Sequence, residues 1–417
     1  MRLDLTSLNM RRYQRHTNSW STHLIVIAVG LAASAAVLAL TYTAARATIA
    51  GKHNDFHIEA WPSYLALAHG HFQQFARMAP AYSGSLVLRA PFALVPRLWG
   101  GGVEATYLAS AVPCMLALVA FCTWLGAQPR TGGQIGWASR ISPIVIATFN
   151  PVVLIMLLLG HPEEILGGVL CVAGIVLAVR GKAEWAGVLI GLAVVNKAWA
   201  LVAVPVALAV MPAERRRAIM FMAATGAAVL VPITALRHGG LTPASAGSEV
   251  GTIFNPPQLL WWFGPHAWIV RQSHWIIVAV AAVCAVVWRS ARSRTPRLRV
   301  GIPEALLLLA SVLLLRAALD PWNNIYYHVP FMLSLMAYEV RSGRMPLMTL
   351  GYSILLFVVV PVYGILHVTV DTRAAIYAAV VLPTLACLAA KLYLPSRRRD
   401  LSGAFLHRQP RGDEVAL

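Results

Sequence analysis

Residues 22–46 read THLIVIAVGLAASAAVLALTYTAAR, and a polar stretch, KHNDFHIE, follows at 52–59. The first stretch is long enough to cross the hydrocarbon core of a membrane as a helix, which takes about 20 apolar residues. The second places Asp55 and Glu59 beside His53 and His57 directly after that helix. Because the whole chain has only 16 acidic residues, this polar stretch is the first candidate for a functional site.

The composition predicts an all-α polytopic membrane protein. Apolar residues make up 58% of the chain and charged residues only 12%, against roughly 25% charged in soluble domains. The later apolar segments do not alternate as barrel strands would, and all 5 cysteines lie inside them, which argues against a disulfide framework or a zinc site. The net charge of +18 comes from short Arg clusters between apolar segments, a pattern typical of cytoplasmic anchoring and not of nucleic-acid binding.

The Arg clusters set a register of about 12 transmembrane helices with both termini in the cytoplasm. Residues 1–21 form a basic tail, 22–394 a single transmembrane domain and 395–417 a second tail. A cleaved signal peptide is the alternative for the first run, but that run exceeds the ~7–15 residues of a signal h-region. The first external loop, 51–102, mixes aromatic and basic residues and favours interfacial helices; whether 82–99 spans the membrane or lies at its interface is open. The predicted spans are 22–46, 103–128, 141–159, 165–179, 184–196, 198–211, 219–236, 272–288, 300–319, 326–340, 346–366 and 374–394.

In this topology the unusual polar residues lie on the external face, although only the Arg clusters set the register. Asp55 is the candidate general base, because a carboxylate placed at the membrane surface can accept a proton from an attacking hydroxyl. Its alternative role is the N-cap of an interfacial helix. Lys197 follows Asn196 between two short apolar segments, where an ammonium could hold a phosphate or snorkel to the lipid headgroups.

Two further segments belong to this face. His161-Pro162-Glu163-Glu164 could suggest a metal cluster, but adjacent residues cannot all face one ion, so we expect a loop near the pocket with Glu164 capping the next helix. Residues 320–328, DPWNNIYYH, offer the aromatic and amide groups of a sugar-binding wall, or an aromatic belt at the membrane interface. Arg316 and Arg271 lie nearby and rank below Lys197 as phosphate-binding candidates.

These motifs together resemble the GT-C superfamily of integral-membrane glycosyltransferases, and most closely glycosyltransferase family 87, the polyprenyl-phosphate-mannose-dependent mannosyltransferases of actinobacteria. The resemblance rests on Asp55, on the turn from Asn150-Pro151 to Gly160-His161, on GLAVVNK at 191–197 and on 322–328. It implies a GT-C-like fold and an inverting transfer with Asp55 as general base. It also implies that His328 positions the acceptor or the donor phosphate and that Lys197 approaches that phosphate.

The expected function is transfer of a sugar, mannose by the resemblance, from a polyprenyl-phosphate donor to a lipid or glycan acceptor at the outer face of the plasma membrane. We expect membrane lipids as further partners, and neither nucleic acid nor a cofactor; we identify no metal ligands, and the metal requirement is open. Two alternatives stay open: a transporter or flippase of lipid-linked substrates, and a transferase of another lipid-linked group such as arabinose. Asp55 and His328 are expected to share one cavity. The predicted substrate-binding residues are His53, His57, Glu59, His161, Glu163, Asn196, Lys197, Asp320, Tyr327 and His328.

Overall fold

The computed structural model describes residues 24–43, 54–80, 82–127, 137–237, 254, 257–293 and 300–394. All regular secondary structure in these ranges is helical, which confirms the predicted all-α class. The longer helices are α1 (Leu24–Thr43), α5 (Val103–Ala127), α6 (Trp137–Thr148), α8 (Glu163–Val179), α9 (Ala183–Asn196), α11 (Arg215–Leu236), α13 (Ser273–Ser293), α14 (Ile302–Leu319), α15 (Val329–Arg341), α16 (Leu347–Phe357) and α18 (Val370–Tyr393). The shorter ones are α2 (Trp61–Ala68), α3 (Phe72–Met78), α4 (Ser83–Ala93), α7 (Pro151–Leu159), α10 (Ala203–Val210), α12 (Trp268–Arg271) and α17 (Tyr363–Ile365).

Six of the described helices, α1, α5, α11, α13, α14 and α18, are long and apolar enough to cross a membrane. The number rises to 7 if the bent pair α6 and α7 forms one span. The protein is therefore a helical protein with several membrane-spanning candidates. The higher predicted number of 12 stays a prediction, because α9 has 14 residues and α15 has 13, and about 20 are needed for a straight crossing.

The predicted continuous span 141–159 is wrong in one respect, because the chain breaks in its middle. The two halves, Arg140–Thr148 and Pro151–Leu159, meet at 41°. Pro151 cannot donate a backbone hydrogen bond and opens α7, while the Asn150 side chain accepts one from the Val152 N–H at 2.9 Å. The break therefore has a local chemical cause in the Asn150-Pro151 pair.

The first loop folds into short helices, as its composition predicts. Residues 82–99 form α4, of 11 residues, and a 3-10 turn at Val95–Trp99. At 1.5 Å per residue α4 reaches about half of the ~30 Å hydrocarbon thickness, so it is too short to cross alone. Phe56, Tyr64 and Leu86 join a small apolar core that anchors the loop, and that core fixes the polar stretch against the rest of the molecule.

Helices α8, α9, α14 and α15 form the centre of the molecule, with α8 in contact with the other three. The most apolar window of α14 is 72% buried inside the protein, whereas that of α11 is only 6% buried. Helix α11 packs on α9 at the periphery and leaves most of its apolar surface facing outward. The polar residues of interest lie at the ends of the central helices and in the turns that join them.

Candidate functional site

A cavity of about 490 Å³ lies beside the break after α9, the start of α13, the end of α14 and the 3-10 turn Ile325–His328. Its size is within the range of about 300–1,000 Å³ that is usual for small-molecule sites. One part of its wall carries Glu59, Tyr82, His161 and Lys197. The structure therefore brings together residues that are more than a hundred positions apart in the chain.

Asp55 contacts this cavity through His161. Asp55 begins a π-helical turn, Phe56–Ala60, and its side chain makes no capping hydrogen bond. Its Oδ2 atom lies 2.8 Å from Nε2 of His161 instead, and the Asp55 side chain is 44% exposed. The Asp55 side chain therefore does not act as a helix N-cap, because its carboxylate points to the His161 imidazole.

His161 links two carboxylates. Its Nδ1 atom lies 2.8 Å from Oε1 of Glu163, on the side opposite the Asp55 contact. Ionised carboxylates only accept hydrogen bonds, so both ring nitrogens must donate, as they do in an imidazolium. Burial and the charge of Lys197 oppose protonation, but Glu163 and the two hydrogen bonds outweigh them, and the pKa of His161 is raised.

Gly160 places this histidine. Its φ of +95° lies in the left-handed region, which costs an L side chain about 1–2 kcal/mol. A Cβ atom on Gly160 would also approach the Phe56 backbone nitrogen to 2.8 Å. The turn before α8 and the π-helical turn of the first loop therefore touch through backbone, and this contact sets Asp55 against His161.

Glu163 is the centre of the ion pairs. It is fully buried at the first position of α8, with Lys197 Nζ 3.2 Å away and the Arg89 guanidinium 3.4 Å away. Burial alone would raise the pKa of Glu163, but Lys197, Arg89 and His161 hold it well below its usual range. Asn196 donates to the Glu163 carbonyl at 2.9 Å, so the predicted residue Asn196 supports the backbone of the site from a buried position.

Lys197 occupies the predicted break between two short apolar helices, and that prediction is confirmed. The residue is extended (φ −158°, ψ 129°) between α9 and the 3-10 turn Ala198–Val202. Its ammonium lies 2.8 Å from Glu164 and stands over the rings of Tyr82 and Tyr326 at 5.1 and 5.4 Å. We expected from the sequence that Glu164 would cap α8. It does not, because its carboxylate is held by Lys197. We call Asp55, Arg89, His161, Glu163, Glu164 and Lys197 the ion network.

Glu59 also faces the cavity. The Tyr82 hydroxyl donates to its carboxylate, and both side chains line the cavity wall. Tyr82 was not predicted as a site residue, although aromatic residues were noted in its loop. Glu59 is thus a carboxylate outside the ion network that lines the cavity directly, whereas Asp55 reaches the cavity through His161.

The opposite part of the wall comes from the end of α14 and the segment that follows. Asp320 and Tyr327, both predicted, line the cavity there together with Arg316. The Arg316 guanidinium stacks 3.8 Å from the centre of the Tyr327 ring. Tyr326 stacks on His161 at 4.2 Å, which joins this segment to the ion network. We call Arg316, Asp320 and His274, which also lines the cavity, the arginine wall.

His328 does not face the cavity, and the expectation that it shares one with Asp55 is wrong. Its side chain is fully buried, with Nδ1 2.9 Å from the Tyr352 hydroxyl and Nε2 3.1 Å from the Tyr377 hydroxyl. An imidazole with both nitrogens occupied has no group left for a phosphate, so His328 fastens α16 and α18 to the turn.

The remaining predicted residues lie elsewhere. His57 lines a separate cavity of about 20 Å³ beside α5. His53 lies outside the described residues. Arg89 is a member of the site that the sequence analysis did not predict. It is buried in α4, and an arginine in an apolar helix needs a buried carboxylate, which Glu163 supplies.

The donor set does not suit a metal. In the described ranges no three His, Cys, Asp or Glu side chains are grouped so that they could hold an ion. Asp55, Glu163 and Glu164 carry their charges beside Lys197, Arg89 and His161. The network is therefore close to electrical neutrality as it stands.

Comparison with known proteins adds no assignment. No protein-family model, no curated protein and no solved structure matches this chain. The resemblance to GT-C glycosyltransferases therefore stays a prediction, and a functional assignment has to be argued from the site itself.

Proposed function

We propose that this protein is a membrane-embedded glycosyltransferase that moves a sugar from a polyprenyl-phosphate donor to a hydroxyl of a lipid or glycan acceptor. The observation that carries the proposal is the contact between Asp55 and His161 at the cavity. A half-exposed carboxylate held in one orientation by a buried imidazole fits the needs of a general base. The proposal keeps the GT-C-like architecture of about 12 crossings, a site at the outer face of the plasma membrane and, by the resemblance, mannose as the sugar.

The chemistry requires one base. The acceptor oxygen would attack the anomeric carbon while Asp55 takes the hydroxyl proton, and the bond from that carbon to the phosphate oxygen would break. The phosphate departs as an anion and needs no general acid, unlike the leaving group in a typical glycosidase, which uses two carboxylates. His161 and Glu163 act as positioning residues, because each is hydrogen-bonded to the next and neither has to change partner.

The cavity wall also suits a lipid-linked sugar. The rings of Tyr82 and Tyr326 flank the cavity beside the ion network, where aromatic faces could pack against a sugar. Leu201, Ile277 and Val278 form an apolar part of the same wall. A prenyl chain is far larger than the cavity, so only its first units would be enclosed there, with the rest in lipid.

Replacing Asp55 with Asn tests the proposal. In vesicles that contain the purified protein and a radiolabelled polyprenyl-phosphate sugar, we expect D55N to lose turnover by about 10²–10⁴-fold, the usual contribution of a general base, while it retains donor binding. Glu59→Gln is the matched control, because Glu59 is a second carboxylate at the cavity and is held by Tyr82. We expect only a modest loss for E59Q.

Other outcomes separate the alternatives. Full activity of D55N with a dead E59Q would move the base to Glu59 and keep the reaction. Full activity of both variants would end the general-base assignment. Movement of intact labelled lipid across the vesicle membrane without any product would support a transporter, and a donor preference for arabinose would change the sugar but not the site.

A further inference from the structure

Arg316 is a buried guanidinium with unused hydrogen-bonding capacity. It lies in the last turn of α14, is 4% exposed and lines the cavity. An arginine carries five N–H donors. Nη1 donates to the Tyr327 carbonyl at 3.2 Å, whereas the buried Nε atom has no acceptor among the described residues.

The nearest carboxylate does not satisfy this cation. Asp320 Oδ2 lies 3.9 Å from Nη2 of Arg316, which is beyond hydrogen-bond distance. The other Asp320 oxygen accepts the Trp322 backbone N–H at 3.0 Å. His274 Nε2 is likewise 3.9 Å from Asp320. The three side chains of the arginine wall thus lie near one another without hydrogen bonds between them.

Lys197 shows the opposite condition. Its ammonium is within 3.2 Å of both Glu163 and Glu164, so an incoming anion would meet two carboxylates beside the one positive charge. A phosphate at Lys197 would displace a hydrogen-bonded ion pair, whereas a phosphate at Arg316 would complete an unsatisfied donor. Guanidinium also matches phosphate in shape, with two parallel N–H donors in one plane.

We propose that Arg316 is the anion-binding residue of the cavity and takes the phosphate of a lipid whose chain runs along Leu201, Ile277 and Val278. Lys197 is then a positioning residue that holds Glu163 and Glu164. This inference rests on the proposed function, which supplies the lipid-linked phosphate. It reverses the ranking of the two cations that the sequence indicates.

A binding experiment tests it without turnover. Protein in detergent micelles is titrated with a short-chain polyprenyl phosphate, with the corresponding polyprenol and with inorganic phosphate. We expect wild type to bind the polyprenyl phosphate best, and Arg316→Met to weaken that binding by about 10- to 100-fold, the value of one hydrogen bond to a charged group. Arg271→Gln is the control, because Arg271 is exposed and does not line the cavity.

A stability measurement separates ligand binding from a structural role. Without lipid, we expect the Tm of Arg316→Met to stay within a few degrees of wild type, since the variant removes a poorly paired charge. Lys197→Met should lower Tm markedly, because Glu163 and Glu164 lose their shared partner. If Arg316→Met does not fold, Arg316→Lys decides, since it keeps the charge but loses the planar pair of donors, and we expect it to bind several-fold more weakly.

The outcomes are distinct. Wild type that binds no polyprenyl phosphate contradicts the proposed function. If Arg316→Met and Arg316→Lys bind polyprenyl phosphate as tightly as wild type, only the present inference is contradicted. If binding is lost only in Lys197→Met, the phosphate binds at Lys197. Equal binding of inorganic phosphate and the lipid would show a site for free anions and overturn the lipid assignment.

Discussion

The ion network reaches the cavity through His161 and Lys197, and the arginine wall lines the opposite part of it. Both combine acidic and basic side chains, but the distances between these groups differ. In the ion network each acid has a cationic partner within 3.4 Å. In the arginine wall the side chains of Arg316 and His274 approach Asp320 only to 3.9 Å. The first arrangement pairs each acid with a cation and holds a carboxylate in place, although Arg89 Nη1, Glu163 Oε2 and Glu164 Oε2 make no hydrogen bond among the described residues. The second leaves a cationic donor beside the cavity for a ligand to use. Charge type alone would not distinguish them.

The largest effect on stability is expected when Glu163 is replaced. Replacing Glu163 with Gln leaves Arg89 and Lys197 short of a buried counter-charge, and we expect the free energy of unfolding to fall by about 3–5 kcal/mol. Asp320→Asn is the matched change in the arginine wall; the amide oxygen can still accept from Trp322, so we expect a loss below about 1.5 kcal/mol. Denaturant titration in detergent micelles measures both. Equal losses would remove the distinction between the two regions.

The backbone contact at Gly160 gives a smaller effect. Gly160→Ala combines left-handed strain with the close approach to Phe56, and we expect a loss of about 2–3 kcal/mol of stability. Gly100 provides the control: it is also left-handed, with φ +73° and ψ 18°, but a Cβ there meets nothing within 4 Å. Gly100→Ala should therefore cost only the strain, about 1–2 kcal/mol. If both variants lose the same amount, the contact with Phe56 contributes nothing.

The smallest effect is the dependence of stability on pH. The groups that face His161 are Asp55, Glu163, Lys197, Tyr82 and Tyr326. Because the folded pKa of His161 is raised above its ordinary 6.5, its stabilisation is complete below pH 6.5 and is lost as pH rises through the folded pKa. Each unit of that shift is worth about 1.4 kcal/mol.

The measurement should run upward from pH 6.5, because Glu163 acts in the opposite sense at acid pH. The folded pKa of Glu163 is lowered, so the unfolded chain takes up its proton first on acidification and stability falls. We expect Tm to decrease from pH 6.5 to pH 9 in wild type and the slope to shrink in His161→Gln. An unchanged slope in that variant would show that His161 is not the group that titrates.

Sequence patterns predicted the helices well and their surroundings poorly. The mean hydropathy of the best window is 2.0 in α14 and 2.1 in α11, yet one is largely buried inside the protein and the other is not. Lipid and protein interior are equally apolar, so hydropathy cannot tell a lipid-facing helix from a central one. The break at Lys197 was predictable, since it depends on a charged residue within a short apolar region.

The partners in the site were not predictable from local sequence. The pattern around Asp55 suggested His53 and His57 as neighbours, but the side chain contacts His161, which is 106 residues away. Arg89 and Glu163 meet only because α4 packs on α9, whose last residue, Asn196, is hydrogen-bonded to Glu163. His328 had the expected residue type in the expected segment, but its rotation toward Tyr352 and Tyr377 depends on α16 and α18.

The π-helical turn at Phe56–Ala60 has a consequence for how related chains would be aligned. Such a turn is an α-helix that contains one extra residue. Loss of a single residue there, for example the exposed Ile58, would extend α2 back to Asp55 as a regular helix but rotate the Asp55 side chain by about 100°. A related chain with that deletion could retain every member of the ion network and still lose the contact with His161, so the spacing in this turn carries information that residue identity does not.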